Sequence, residues 1–137
     1  KKEEDKAPII IENIISSTND YISTPFSFEN RVRQTTNILN LSKPYSITIL
    51  IINETSINIS KTYKASSSVL INQLVLAGEI LKFDFESTIN FDFTNNADIR
   101  VKLNDIPLDT FLSNDGLSIR GSYEAEKSQL YLGFYQN

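Results

Sequence analysis

The sequence predicts an all-β domain, an antiparallel β-sandwich of about seven to nine strands. Three observations lead to this prediction. Apolar residues recur at every second position from Tyr45 onward, which is the period of a strand with one buried face. Asn, Asp and Gly punctuate these runs at intervals of about 8 to 12 residues, as they do in sandwiches and barrels. No segment has the length and helical period of the crossover that a parallel sheet requires.

The chain has 137 residues, which fits one domain. We predict that residues 1–22 form a charged linker and an extended or docked segment, and that residues 23–137 form the sandwich. The run from Lys1 to Lys6 mixes both charges without an apolar partner, which is typical of a solvated terminus. It could also be the flank of a membrane-spanning helix. Because the chain contains no methionine, we expect it to be a mature form or a piece of a longer protein.

The next two segments give mixed signals. Isoleucines between positions 9 and 15 could line a short helix face, but β-branched residues favour an extended chain. Phe26 and Phe28 alternate with polar residues, which predicts a strand that continues to Arg33. Residues 34–42 are predicted to be a polar connection.

From Tyr45 onward each run places apolar side chains on one face. The first run carries Ile47, Ile49 and Ile51 on one face, with Leu50 and Ile52 on the other, so we predict a strand buried on both sides. The later stripes are Ile57 and Ile59; Leu81, Phe83 and Phe85; Ile89, Phe91 and Phe93; Ile99, Val101 and Leu103; Leu117 and Ile119; and Leu130, Leu132 and Phe134. A slip of one residue would turn each stripe to water, so the registers should be well defined.

Composition argues against several functions. The chain has 13 basic and 17 acidic residues and a net charge of −4, without the basic stripe that binds nucleic acid. It has no His and no Cys, which removes the commonest general acid–base group, thiol nucleophiles and disulfides. No run approaches the roughly 18 apolar residues of a spanning helix. We therefore predict a domain that is not an enzyme and takes no cofactor or metal.

Three carboxylates keep a carbohydrate function open. Asp84, Glu86 and Asp92 fall on neighbouring predicted strands, opposite the aromatic stripes, and paired carboxylates can act on glycosides. The favoured interpretation is a solvated sheet face. On that interpretation Asp92→Ala should cost well under ~1 kcal/mol, whereas Phe91→Ala should cost about 3–5 kcal/mol. The serines at 66–68 are interpreted as a flexible connection.

Tyrosines supply the candidate partner surface, since Tyr is favoured at interfaces. Tyr63, Tyr123, Tyr131 and Tyr135 could form a sugar- or peptide-binding patch, and the favoured alternative is that each covers a sheet edge with its hydroxyl in water. We select Tyr123, Tyr131 and Tyr135 as the candidate partner surface. In the last strand Tyr131, Gly133 and Tyr135 alternate away from the apolar positions, so one of the two sets must face outward. The last strand is therefore the best place to look for a partner.

One stretch carries a family resemblance. Residues 74–108 read LVLAGEILKFDFESTINFDFTNNADIRVKLNDIPL, which resembles the C-terminal extracytoplasmic domain of the RodZ family of bacterial cell-shape proteins. Residues 76–79 match a Gly-Glu turn, residues 94–97 stand at a Gly-Asn-Ala turn, and residues 104–108 match a closing Asn-Gly-x-x-Leu motif. Thr94 and Asp105 replace glycines of the family. A looser likeness runs from Ser46 to Leu117.

The resemblance implies a larger protein. Its other parts would be a cytoplasmic helix-turn-helix domain that binds the MreB filament and one membrane helix. This domain would lie on the extracytoplasmic side, anchored to the cytoplasmic membrane through a segment outside this chain. It would be a non-catalytic scaffold that contacts proteins of the wall-elongation machinery, or peptidoglycan. The alternatives are a surface lipoprotein or adhesin domain with a lipid-anchored linker, and a carbohydrate-binding module.

Overall fold

A computed structural model describes residues 24–137 as two antiparallel sheets that share one apolar core. This architecture confirms the predicted all-β sandwich, with ten strands instead of seven to nine. The predicted linker and docked segment, residues 1–22, lies outside the described residues. Among residues 24–137, no helix is both long and apolar enough to cross a bilayer.

The strands follow one another with short connections. They are β1 (Arg31–Ile38), β2 (Tyr45–Ile51), β3 (Thr55–Tyr63), β4 (Ser66–Val75), β5 (Ile80–Phe85), β6 (Thr88–Phe93), β7 (Ile99–Leu103), β8 (Ile106–Pro107), β9 (Ser118–Glu124) and β10 (Gln129–Tyr135). A four-residue helix α1 (Asp109–Leu112) precedes β9. The six-stranded sheet has the order β1-β10-β9-β6-β3-β4, and the four-stranded sheet has the order β5-β2-β7-β8.

The core is formed by the predicted stripes. Ile47, Ile49 and Ile51 of β2 face Ile57, Ile59 and the β6 stripe, and all of these side chains are buried. The prediction that β2 is buried on both sides is wrong, because Leu50 is 37% and Ile52 is 40% exposed. No further layer of the described chain covers the outer side of the four-stranded sheet.

The first strand differs from its prediction. Thr24–Phe26 and Phe28–Asn30 are short 3₁₀ turns, and β1 occupies residues that were predicted to be a polar connection. As an edge strand it directs Arg33, Thr35 and Asn37 toward the core side of β10, where they stay half-buried. The Arg33 guanidinium lies 3.9 Å from the ring centre of Phe134. Because the inward-facing side chains of β1 are polar, its sequence shows no apolar residue at every second position.

Two strands had no sequence prediction. Ser66–Ser68 were predicted to be a flexible connection but begin the ten-residue strand β4, paired with β3 along its whole length. The other is β8, which has two residues. Both lie at sheet edges, and all of their side chains except Val75 are exposed or half-buried, so neither strand has an apolar stripe.

The turn at Gly78 is tied to β2. Its amide donates to the carbonyl of Ile51 at 2.8 Å, and the Ile51 amide donates to the carbonyl of Glu79 at 2.9 Å. Gly78 has a φ of +91°, a conformation that favours glycine. The Gly-Glu turn therefore has a backbone role in this fold.

Asn96 and Asn104 hold two other turns of the resembling stretch. Asn96 is fully buried; its amide group donates to Leu112 O at 2.8 Å and to Asp115 Oδ1 at 2.9 Å, while its oxygen accepts from Gly116 N at 2.7 Å. The Asn104 oxygen accepts from Ser46 N at 2.9 Å, at the start of β2. The residues that carry the resemblance thus connect distant backbone segments.

Candidate functional site

The outer face of the six-stranded sheet carries two rows of side chains that cross five strands. The register places Asn58, Asp92, Arg120, Gly133 and Gln34 in the first row. It places Ser60, Asn90, Ser122, Tyr131 and Thr36 in the second row. Directly paired residues of antiparallel strands share one face, so these side chains are neighbours. We call this surface the polar face.

An ion pair occupies the middle of the first row. Arg120 Nε donates to Asp92 Oδ1 and Arg120 Nη2 donates to Asp92 Oδ2, both at 2.9 Å, which makes the pair bidentate. Asp92 is only 8% exposed. Burial raises the pKa of the Asp92 carboxyl above its usual value, although the Arg120 hydrogen bonds and charge oppose this shift. The expectation of a solvated Asp92 is therefore wrong, because its partner comes from a strand 28 residues further along.

Aromatic rings close one end of the polar face. The Tyr135 and Phe26 rings meet edge to face, with centroids 5.2 Å apart at 86°. The Arg120 guanidinium lies 4.5 Å from the Phe26 ring centre. A Cβ atom at Gly133 would lie 2.9 Å from Tyr135 Cε1, so glycine is what lets the tyrosine ring lie across the strand. Phe26 thus anchors the first described turn onto Arg120 and Tyr135.

A groove of about 380 Å³ lies between this end and Tyr131. Its polar lining is Gln34, Asn90, Asp92, Arg120, Ser122, Tyr131 and Tyr135. This volume is at the lower end of the range of about 300–1,000 Å³ for small-molecule sites. The groove holds two charges of opposite sign that are bonded to each other, together with neutral hydrogen-bonding groups.

The structure does not place the three predicted tyrosines on one surface. Tyr131 and Tyr135 both line the groove, although the Tyr135 ring is largely buried against Phe26. Tyr123 is fully buried in the core, and its hydroxyl donates to Leu39 O at 2.6 Å. Its selection for a partner surface is therefore wrong. It stands four positions after Ile119, which puts both on one face, and that spacing is visible in the sequence.

The three candidate carboxylates do not form one site. Asp84 projects from the outer side of the four-stranded sheet, whereas Asp92 projects from the outer side of the six-stranded sheet. Glu86 follows β5 and lies 3.9 Å from Lys61 Nζ. The prediction that they share neighbouring strands fails because β5 and β6, although consecutive, enter different sheets.

Within residues 24–137 no group of three His, Cys, Asp or Glu side chains is placed to hold a metal ion. No protein-family model matches the chain, and no curated protein or solved structure shows significant similarity to it. Sequence reasoning missed Gln34, Asn90 and Arg120 as site residues, because only the register of four strands brings them together.

Proposed function

We propose that this chain is a non-catalytic interaction domain of a membrane-anchored, RodZ-like cell-shape protein. The domain would work on the extracytoplasmic side, where it contacts proteins of the wall-elongation machinery, or peptidoglycan. The polar face is its contact surface. The observation that carries the proposal is the groove on this face, built from four strands around the Asp92–Arg120 pair.

The charges of the groove favour binding over catalysis. A general base needs an acceptor that is ready to take a proton from a substrate. Both oxygens of Asp92 accept from Arg120, and the arginine stacks on Phe26. This arrangement fixes the side chains and makes the surface rigid, which suits recognition.

The family assignment rests on the resembling stretch. Gly78, Asn96 and Asn104 of that stretch each make hydrogen bonds that fix a turn of the sandwich. A motif made of such residues reports a shared fold, so the likeness supports a RodZ-like domain without assigning it a site. The extracytoplasmic location and the membrane anchor are proposed on the same likeness.

The test uses the full-length gene in its own host. We expect the gene to encode a helix-turn-helix domain and one spanning segment upstream of Lys1. Deleting residues 24–137 with the anchor intact should round the cells, and Arg120→Ala should shorten them measurably. Lys82→Ala, on the outer side of the other sheet, is the control and should leave the cell aspect ratio unchanged. Normal rods after the deletion would refute the proposal.

A further inference from the structure

We infer that the groove of the polar face binds an uncharged glycan chain, so that the partner of this domain is wall polysaccharide. The inference rests on the proposed function, because it names the ligand of the same surface. It is argued from the charge balance of the groove, from its hydrogen-bonding groups and from its tyrosine.

The charge balance of the groove disfavours an ionic ligand. Asp92 and Arg120 are the charged side chains of the groove lining, and they neutralise each other through two hydrogen bonds. An anion would have to share the half-exposed Arg120 with Asp92, and a cation would have to compete with Arg120 for the buried Asp92. Breaking a largely buried pair leaves one charge without compensation. An uncharged ligand avoids this cost.

The hydrogen-bonding groups suit hydroxyl groups arranged in series. Gln34 lies on β1 and Asn90 lies on β6, and these two strands are separated by three inter-strand distances, roughly 14 Å. The Asn90 nitrogen donates to Ser60 Oγ at 3.4 Å and to Thr62 Oγ1 at 3.2 Å, which leaves its oxygen as an acceptor for a ligand. Gln34 offers a donor and an acceptor, and Ser122 lies between the two amides. Such a line of neutral groups is longer than one sugar ring and matches an extended chain.

Tyr131 supplies the apolar contact. Its hydroxyl donates to Gln129 Oε1, which fixes the ring at the groove wall. The positions beside it carry small residues, Ser122 across the strand pair and Gly133 two residues on. Tyrosine offers a flat apolar face with a polar edge, and the C–H face of a sugar ring can pack on it.

A protein partner fits this groove less well. The centres of protein interfaces are enriched in apolar and aromatic side chains and depleted of charge. The strongly exposed apolar residues of β4 and the following turn lie outside the groove lining, at Val69, Leu74 and Leu76. The groove instead places an ion pair and amides at its centre. This composition favours a ligand rich in hydroxyl groups.

The test is titration of the full chain with chitotetraose, cellotetraose and maltotetraose, followed by calorimetry and amide NMR. We expect at least one of these neutral glycans to bind and to shift the amides of Gln34, Asn90, Ser122 and Tyr131. Tyr131→Ala and Asn90→Ala should each weaken binding at least tenfold. Tyr63→Ala is the matched control, since Tyr63 is an exposed tyrosine outside the groove.

Each outcome decides the inference. Loss of binding in the two groove variants, with urea midpoints close to wild type and Tyr63→Ala unaffected, supports it. No binding of any of the three glycans overturns it, as does equal binding by the groove and control variants. Direct binding of a purified wall-synthesis protein to the groove, without glycan binding, also overturns it. In that last case the cell-shape defect of Arg120→Ala would persist, so the proposed function would survive.

Discussion

Asp92 shows how one buried charge depends on its partner. Its carboxylate lies almost completely out of solvent, and two hydrogen bonds from Arg120 compensate for part of the lost hydration. Replacing Asp92 by Ala leaves the half-exposed guanidinium without its acceptor. We expect the free energy of unfolding to fall by about 1–3 kcal/mol, more than the sequence alone predicts. Urea denaturation at neutral pH measures this cost.

Asp84→Ala is the control for that measurement. Asp84 is an exposed carboxylate on the other sheet, so its loss should change stability by about 0.5 kcal/mol or less. Phe91→Ala, in the core, should still cost about 3–5 kcal/mol. An equal effect of the two aspartate substitutions would contradict the structural role of the Asp92–Arg120 pair.

Asp115 makes the stability sensitive to acid. Partial burial raises the pKa of its carboxyl, but hydrogen bonds from Asn96, Arg33 and the Leu117 amide outweigh this effect and hold the pKa below its usual value. A carboxyl whose folded-state pKa is depressed contributes stability above its unfolded pKa of about 3.9. That contribution is lost as the pH falls through the lower, folded-state pKa.

We therefore expect Asp115→Asn to flatten the pH dependence of stability. The difference in urea midpoint between wild type and variant should be largest at pH 7 and should shrink toward pH 2. Asp84→Asn serves as the control, since Asp84 is exposed on β5. A constant difference across this range would show that the Asp115 charge has no part in stability.

Two positions need glycine for different physical reasons. Gly121 in β9 faces the core, where a Cβ atom would lie 2.6 Å from Phe91 Cε1 and 2.8 Å from Leu132 Cδ2. Gly78 has open space around it but a φ of +91°. We expect Gly121→Ala to cost about 1–3 kcal/mol through overpacking, and Gly78→Ala to cost about 1–2 kcal/mol through backbone strain.

Double mutants that combine each glycine substitution with Phe91→Leu distinguish these two causes. Phe91→Leu should relieve part of the Gly121→Ala cost, because the smaller side chain removes the closest atom. It should not change the cost of Gly78→Ala, since nothing lies within 4 Å of that position. A double-mutant cycle by urea denaturation gives both coupling energies. Coupling at Gly78 and none at Gly121 would contradict the packing described for β9.

At the scale of strands, the sequence predicts those strands that carry an apolar residue at every second position. From β2 onward, except in β4 and β8, the inward stripes were predictable, because the two-residue period depends only on neighbours in the sequence. β1 escaped prediction because its inward side chains, including Arg33 and Thr35, are polar. The groove escaped it because the pairing of Asp92 with Arg120 depends on which sheet each strand enters. Local patterns do not contain that information.

At the scale of the whole molecule, the two sheets formed by residues 24–137 have four edges, and three of these edges are protected against pairing with another chain. Arg31 and Arg33 charge the edge strand β1, and Lys82 and Asp84 charge β5. The edge strand β8 is two residues long and ends at Pro107. Natural sheets use charge, proline and short length in this way.

The fourth edge, β4, is different. All ten of its residues are uncharged, and Val69 is 68% exposed. A bulge opposite Ile59 and Ser60 interrupts its pairing with β3 once, which protects the edge only locally. Long, exposed and uncharged edge strands are sites of aggregation. We therefore expect self-association of this domain, on heating or concentration, to begin at β4.

Val69→Lys tests this expectation. A lysine on the edge should slow the growth of light scattering severalfold at a temperature just below the unfolding midpoint, because pairing two copies would bring like charges together. Val32→Lys is the matched control, since Val32 is an exposed valine on the edge strand β1, which already carries Arg31 and Arg33. Both variants should keep the wild-type urea midpoint, so that the scattering reports the edge and not the fold. Equal slowing by the two lysines would show that added net charge, and not the β4 edge, controls association.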